Sequence, residues 1–244
     1  MVLQALDNKH FYEVIPRHKP CKLYFDLEFE KIYNGGKEGH HMTELLIILV
    51  NKKLQEKYSC SSFREDVLVL ESSNERKFSI HLIFTKSNFA NNEACGFFVK
   101  DLIINFSEEE KEMFLIHNSD GSPGNFIDTS VYSKNRNFRL FLAKKFGKPT
   151  PFTLSPIDLF SLRILENQSS NDNFLKQIFK YSLITNVEKE ANIIQIKNTL
   201  FQSQGYSNKI TYEKKKEISS RIPSSPFLEI DQFISKLVFP GRIR

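Results

Sequence analysis

Acidic and apolar side chains alternate in the segment KLYFDLEFEK, residues 22–31. In a β-strand successive side chains point to opposite faces, so Asp26 and Glu28 would share one face, about 7 Å apart. Oxygen ligands at such a separation suit a hard divalent cation such as Mg²⁺ or Mn²⁺. The solvated outer face of an antiparallel strand has the same pattern, so this segment alone leaves both interpretations open.

A second segment, RKFSIHLIF, combines side chains that suit a phosphate group. The period of two places Lys77, Ser79 and His81 on one face of a predicted strand. Lysine supplies a point charge, serine a hydroxyl donor and histidine a ring donor. The alternative for His81 is a histidine at the surface or core edge that is satisfied by a neighbouring group.

The third segment, residues 126–148, joins an acid to a basic run. Asp128 lies in a predicted strand of apolar and hydroxyl side chains, where a carboxylate is unfavourable unless a cation such as a metal ion neutralises it. Six cations follow: Lys134, Arg136, Arg139, Lys144, Lys145 and Lys148. They predict either a solvated basic β-edge or a phosphate cradle in which Arg139 binds phosphate bidentately.

Composition excludes several classes of protein. The 244 residues carry a net charge of +5 and are 40% hydrophobic, which permits an anionic partner such as nucleic acid without requiring one. The three cysteines lie far apart and form no CxxC pair, so neither a disulfide framework nor a zinc knuckle is expected. The longest apolar run is the six residues from Leu45 to Val50, and the N-terminus lacks a secretion-signal pattern. We therefore expect a soluble intracellular protein with no membrane partner.

The elements that must position these residues are predicted from periodicity and turn signals. Strands are expected at 10–16, 21–30, 66–72, 77–84, 113–118, 125–132, 137–143 and 192–198. Helices are expected at 42–58, 93–106, 155–167, 172–183 and 224–238. Ser155 is the expected N-cap of the third helix, and a polar, lysine-rich stretch near 202–225 predicts a mobile linker.

Together, these motifs resemble those of the archaeo-eukaryotic primase superfamily. FDLEF, KFSIHLIF, FIDTSVY and NRNFRL stand in the family order, and YEVIP, CKLYFDLEF and VYSKNRNFRLF are most similar to its eukaryotic PrimPol branch. The close resemblance covers about 11–148, and a weaker one covers 224–238. It implies an α+β catalytic core with an RRM-like mixed β-sheet flanked by helices.

The resemblance also implies roles for individual residues. Those expected to bind catalytic Mn²⁺ or Mg²⁺ are Asp26, Glu28 and Asp128. Those expected to bind the nucleotide are Lys77, Ser79, His81, Arg136, Asn137, Arg139 and Lys145. Tyr12 would select the sugar, although an aromatic core residue is the alternative. No zinc is expected in this chain.

The activity implied is a template-directed DNA primase/polymerase that transfers nucleotides from dNTPs to a 3′-hydroxyl of a DNA primer. It would serve replication-fork restart and DNA damage tolerance in the nucleus and mitochondrial matrix. We expect a remnant of an N-terminal module at 1–19, the catalytic module at 20–148 and a helical part at 149–244. The family's zinc module and its contact region for single-strand-binding proteins are not seen in this sequence, which leaves de novo priming open. The alternatives are a catalytically impaired nucleic-acid-binding remnant and, less favoured, a metal-dependent nuclease.

Overall fold

The computed structural model describes residues 10–166 and 171–196. The predicted linker near 202–225, the predicted helix 224–238 and residues 1–9 lie outside the described residues. The described strands are β1 (Tyr12–Ile15), β2 (Cys21–Glu30), β3 (Val67–Glu71), β4 (Lys77–Phe89), β5 (Leu115–His117), β6 (Pro123–Asn125), β7 (Arg136–Arg139), β8 (Thr153–Leu154) and β9 (Ile193–Ile194). The described helices are α1 (Gly39–Tyr58), α2 (Asn92–Ile104), α3 (Glu108–Phe114), α4 (Phe160–Glu166) and α5 (Asn171–Ser182), with short 3₁₀ turns at Lys31–Tyr33, Arg64–Asp66 and Thr129–Tyr132.

Strand β4 organises the main sheet. The strand order is β2-β4-β3-β8, with antiparallel neighbours, and β9 pairs in parallel with the end of β4. Two smaller antiparallel pairs join β1 to β7 and β5 to β6. The chain is therefore a mixed α and β structure, as predicted, whereas the RRM-like architecture stays a prediction.

The alternation in β2 separates a core face from a polar face. Leu23, Phe25, Leu27 and Phe29 are buried, while Asp26 and Glu28 are only half-buried. Burial of large apolar side chains, each worth about 1.5–3 kcal/mol, holds this strand in the sheet with its acids on the other face.

Helix α1 packs against the sheet through an apolar stripe. Met42, Leu46, Val50 and Leu54 recur every four residues and are buried, as the 3.6-residue period of a helix requires. At the start of the helix the ring of His40 contacts that of Phe78 on β4, with centroids 5.3 Å apart. The helix thus covers the face opposite to the one that carries Lys77, Ser79 and His81.

Helix α3 was not predicted, and the strand expected at 113–118 is reduced to Leu115–His117. The helix begins with a capping box: the N–H of Glu110 donates to the Ser107 hydroxyl, and the Glu110 carboxylate accepts from the Ser107 N–H. This reciprocal pair satisfies two donors at the helix start. The S-x-x-E spacing in the sequence was therefore the signal for this helix.

Two further predictions were wrong. The structure has no strand over most of the expected range 125–132, because β6 ends at Asn125. Asp128 instead caps the 3₁₀ turn Thr129–Tyr132. Helix α4 begins at Phe160 and not at the predicted Ser155 cap. The Ser155 hydroxyl donates to Glu71, while the Asp158 carboxylate accepts from Ser161 N–H at the helix start.

The proline- and threonine-rich segment 148–156 contributes β8 to the edge of the main sheet. Of the helices that the structure describes, none has the length and apolar character needed to cross a membrane.

Candidate active site

The register of β2 against β4 brings the first two motifs together. Asp26 lies opposite His81, Glu28 opposite Ser79 and Glu30 opposite Lys77. Side chains directly opposite on an antiparallel pair have Cβ atoms about 5 Å apart. The acids of one motif and the phosphate-compatible groups of the other therefore share one surface.

Asp128 lies on the same surface, although it belongs to neither β2 nor β4. Ile127 bridges to Leu27, and the Asp128 N–H donates to the backbone oxygen of Asp26 at 2.9 Å. The Asp128 side chain is half-buried and accepts from the Ser130 N–H at 2.8 Å. The prediction of a carboxylate enclosed in an apolar strand was thus wrong, although the acid does lie beside the other two.

A cleft of about 540 Å³ contains every residue to which the resemblance assigns a role, whereas Lys134 and Lys144 of the basic run do not line it. Its lining includes Tyr12, Asp26, Glu28, Lys77, Ser79, His81, Asp128, Arg136, Asn137, Arg139 and Lys145. It also includes Lys148 of the basic run, and Glu30, Ser72, Asn74, Arg76, Phe138 and Thr150, to which no role was assigned. Ser72, Asn74 and Arg76 belong to the turn that leads into β4, so their closeness to Lys77 in sequence was the available signal.

Asp26 lies at the negative centre of this cleft. Its Oδ1 atom is buried and has no hydrogen-bond partner among the described residues. Burial raises the pKa of Asp26 to about 7, and the charges of Glu28 and Asp128 act in the same direction, against Lys77 and Arg139. An unpartnered carboxylate oxygen in a negative field is unfavourable without a proton or a cation.

Glu28 is already paired in this structure. Its Oε2 atom lies 2.5 Å from the Lys77 ammonium. Across the described ranges, no three His, Cys, Asp or Glu side chains are arranged so that they could hold one metal ion. Joint coordination by the three acids would therefore require their side chains to move from the positions in this structure.

His81 is held as a neutral ring. It stacks between Phe138 and Phe152, with centroids 3.9 and 3.7 Å away. Burial lowers the pKa of His81 well below its usual value, and the charge of Arg139 contributes in the same direction. Its Nδ1 has no partner among the described residues, and Nε2 lies 3.9 Å from Asp26 Oδ1, beyond hydrogen-bond range.

The cationic side of the cleft lies on β7 and the residues around it. Arg139 lies over the Phe152 ring at 4.3 Å, and its Nη1 is 3.5 Å from the Ser72 hydroxyl. The Nε of Arg136 is buried without a partner among the described residues. In the β1–β7 register, Tyr12 lies opposite Arg139, and 42% of Tyr12 is exposed. The alternative interpretation of Tyr12 as a core residue was therefore wrong.

The chain is similar to several vertebrate proteins that are named DNA-directed primase/polymerase protein. No family model matches the chain. It is 34% identical to the DNA-directed primase/polymerase protein of Danio rerio and 32% identical to those of Mus musculus and Bos taurus, over 94–96% of this chain. The matches cover 50%, 51% and 53% of those proteins, so the chain spans about half the length of the curated relatives it matches.

The chain is therefore homologous to DNA-directed primase/polymerase (PrimPol) proteins, which confirms the resemblance drawn from its motifs.

Proposed function

We propose that this chain is the core of a template-directed DNA primase/polymerase that joins dNTPs to the 3′-hydroxyl of a primer. The observation that carries the proposal is the cleft in which Asp26, Glu28 and Asp128 face Lys77 and Arg139. Phosphoryl transfer depends mainly on positioning and electrostatic stabilisation, and this cleft combines both signs of charge. The names of the relatives support the same activity.

The environment of Asp26 supports a site for Mn²⁺ or Mg²⁺. A buried carboxylate oxygen without a partner, beside two further carboxylates, fits a hard cation. Asp26, Glu28 and Asp128 would hold the ion once Glu28 exchanges its Lys77 partner for it. When bound, such a metal lowers the pKa of the attacking hydroxyl and neutralises charge on the pyrophosphate.

The remaining side chains would bind and orient the triphosphate. Lys77, released from Glu28, and Arg139 would supply positive charge, while Ser79 and the neutral His81 ring would supply uncharged donors. The aromatic stack fixes the orientation of the His81 ring, so little reorganisation is needed when phosphate binds. Arg136, Asn137 and Lys145 would extend the contact, and Tyr12 would lie against the sugar.

Primer extension tests the proposal directly. The full chain with a primer-template, dNTPs and Mn²⁺ should extend the primer. Asp26→Asn should reduce the rate at least 100-fold, because it removes a ligand charge while keeping the side-chain size. Glu109→Gln is the matched control: it removes an exposed carboxylate on α3 that does not line the cleft, and it should leave extension unchanged.

The other outcomes identify the alternatives. DNA binding without nucleotide incorporation would indicate a nucleic-acid-binding remnant. Metal-dependent degradation of the primer without dNTPs would indicate a nuclease. Equal extension by Asp26→Asn and the native chain would rule out the metal assignment.

The cellular setting rests on the resemblance alone. It supports roles in replication-fork restart and DNA damage tolerance, in the nucleus and mitochondrial matrix, with single-strand-binding proteins as family partners.

A further inference from the structure

A short hairpin projects from the cationic side of the cleft. The N–H of Leu142 donates to Phe152 O at 2.7 Å, and the N–H of Phe152 donates to Ala143 O at 3.2 Å. At its tip the N–H of Lys148 donates to Lys145 O at 3.0 Å, and Gly147 adopts a φ of +72°. Its base is anchored by Phe152, which packs on His81. The 142–152 hairpin is therefore tied to the site.

The tip of this hairpin exposes an aromatic ring among cations. Phe146 is 83% exposed, and its neighbours Lys145 and Lys148 line the cleft. The hairpin contains no acidic residue. The Phe146 ring meets that of His10 edge-on, with centroids 5.3 Å apart, and a hydrogen bond of 3.1 Å joins His10 Nδ1 and Lys144 O. The ring is thus supported at one side while most of its surface meets solvent.

We propose that Phe146 is a stacking platform for a base of single-stranded nucleic acid, with Lys144 and Lys148 binding the adjacent phosphates. A single exposed apolar side chain needs no explanation by itself. Aromatic rings inside a positively charged groove, however, are the usual means of binding a single strand. Because Lys145 and Lys148 border the cleft, the bound strand would lead towards the acids. The path of the strand towards the acids rests on the proposed function, whereas the stacking of a base on Phe146 does not.

Tryptophan fluorescence provides a direct test, because the chain contains no tryptophan. Phe146→Trp places one fluorophore at the tip of the hairpin, and Ile104→Trp places one at another exposed position, on α2, where the native side chain is 73% exposed. Titration with a single-stranded oligonucleotide, without dNTP or divalent metal, should quench the emission at position 146 and not at 104. A closed dumbbell duplex leaves only its few loop bases unstacked, so it should quench the emission at position 146 much less than the single strand does.

Affinity provides the second measurement, by anisotropy of a labelled single strand. Phe146→Ala should raise the Kd about 5- to 100-fold, Phe146→Leu should raise it similarly, and Phe146→Tyr should stay close to the native value. Ile104→Ala should have no effect. An unchanged Kd for Phe146→Ala, no quenching at position 146, or equal quenching by the dumbbell or by free dNTP would each overturn the assignment.

These measurements are separate from turnover. Quenching at position 146 in a chain that extends no primer would keep the platform and reject the polymerase. Primer extension without quenching at position 146 would reject the stacking platform and keep the polymerase.

Discussion

Replacing Asp26 with asparagine tests the electrostatics of the cleft while preserving the size of the side chain. The pKa of Asp26 is about 7 in the folded chain, against about 3.9 for an unperturbed aspartate. At a pH between these two pKa values, the Asp26 carboxyl is protonated in the folded chain and ionised in the unfolded chain. The free energy of unfolding therefore falls as pH rises from about 4 to 7, and it is level above 7.

The expected size of the effect follows from the same values. From pH 5 to pH 8 the unfavourable contribution of Asp26 grows over about two pH units, at about 1.4 kcal/mol for each unit. The sum is about 3 kcal/mol. The Asp26 side chain is 18% exposed, and access of water reduces the effect, so this value is an upper bound.

Urea unfolding in EDTA at pH 5, 6, 7 and 8 measures this difference without bound metal. The stability of Asp26→Asn relative to the native chain should increase by up to about 3 kcal/mol from pH 5 to pH 8. Asp120→Asn is the matched control, because Asp120 is exposed and hydrogen bonds to Ser122 lower its pKa, so it stays ionised throughout this range. A relative stability of Asp26→Asn that does not change with pH would refute the raised pKa and the negative field inferred from it.

Two further substitutions test binding and packing. Arg139→Ala should raise the KM for dNTP about 10-fold or more, because a charged contact to phosphate is lost, while template affinity should change little. Arg17→Ala is the control, because Arg17 lies outside the cleft. A loss confined to template affinity would contradict the assignment of Arg139. Gly39→Ala should lower the free energy of unfolding by about 1–3 kcal/mol, because its new Cβ would lie 2.6 Å from the Phe78 ring, whereas Gly35→Ala enters open space. Equal urea midpoints for the two alanine variants would show that Phe78 moves without cost.

Local patterns in the sequence were sufficient for the main strands and for the faces they present. The bounds predicted for β2 agree with the structure because apolar side chains recur at every second residue from Cys21 to Phe29. The same period placed Lys77, Ser79 and His81 on one face of β4, which the register against β2 bears out. The S-x-x-E signal of α3 was also in the sequence, although the strand-like run that follows it obscured the helix.

Other features depend on contacts between distant residues. Asp128 was assigned to a strand because its neighbours are apolar, yet a turn follows at once and its carboxylate caps that turn. The pairing of Glu28 with Lys77 and the aromatic stack around His81 join residues far apart in the chain. Periodicity specifies which way a side chain points from its own strand, but it contains no information about what lies opposite.

By itself, the sequence determined the residue types, their alternation and the likeness to primase-polymerases. Only the tertiary structure decided that the acids, the neutral imidazole and the cations surround one cleft, and that burial there raises the pKa of Asp26. The physical reason is that alternation arises from backbone geometry between neighbouring residues, whereas strand register, burial and electrostatic fields arise from the packing of segments more than 50 residues apart in the chain, such as Asp26 and His81.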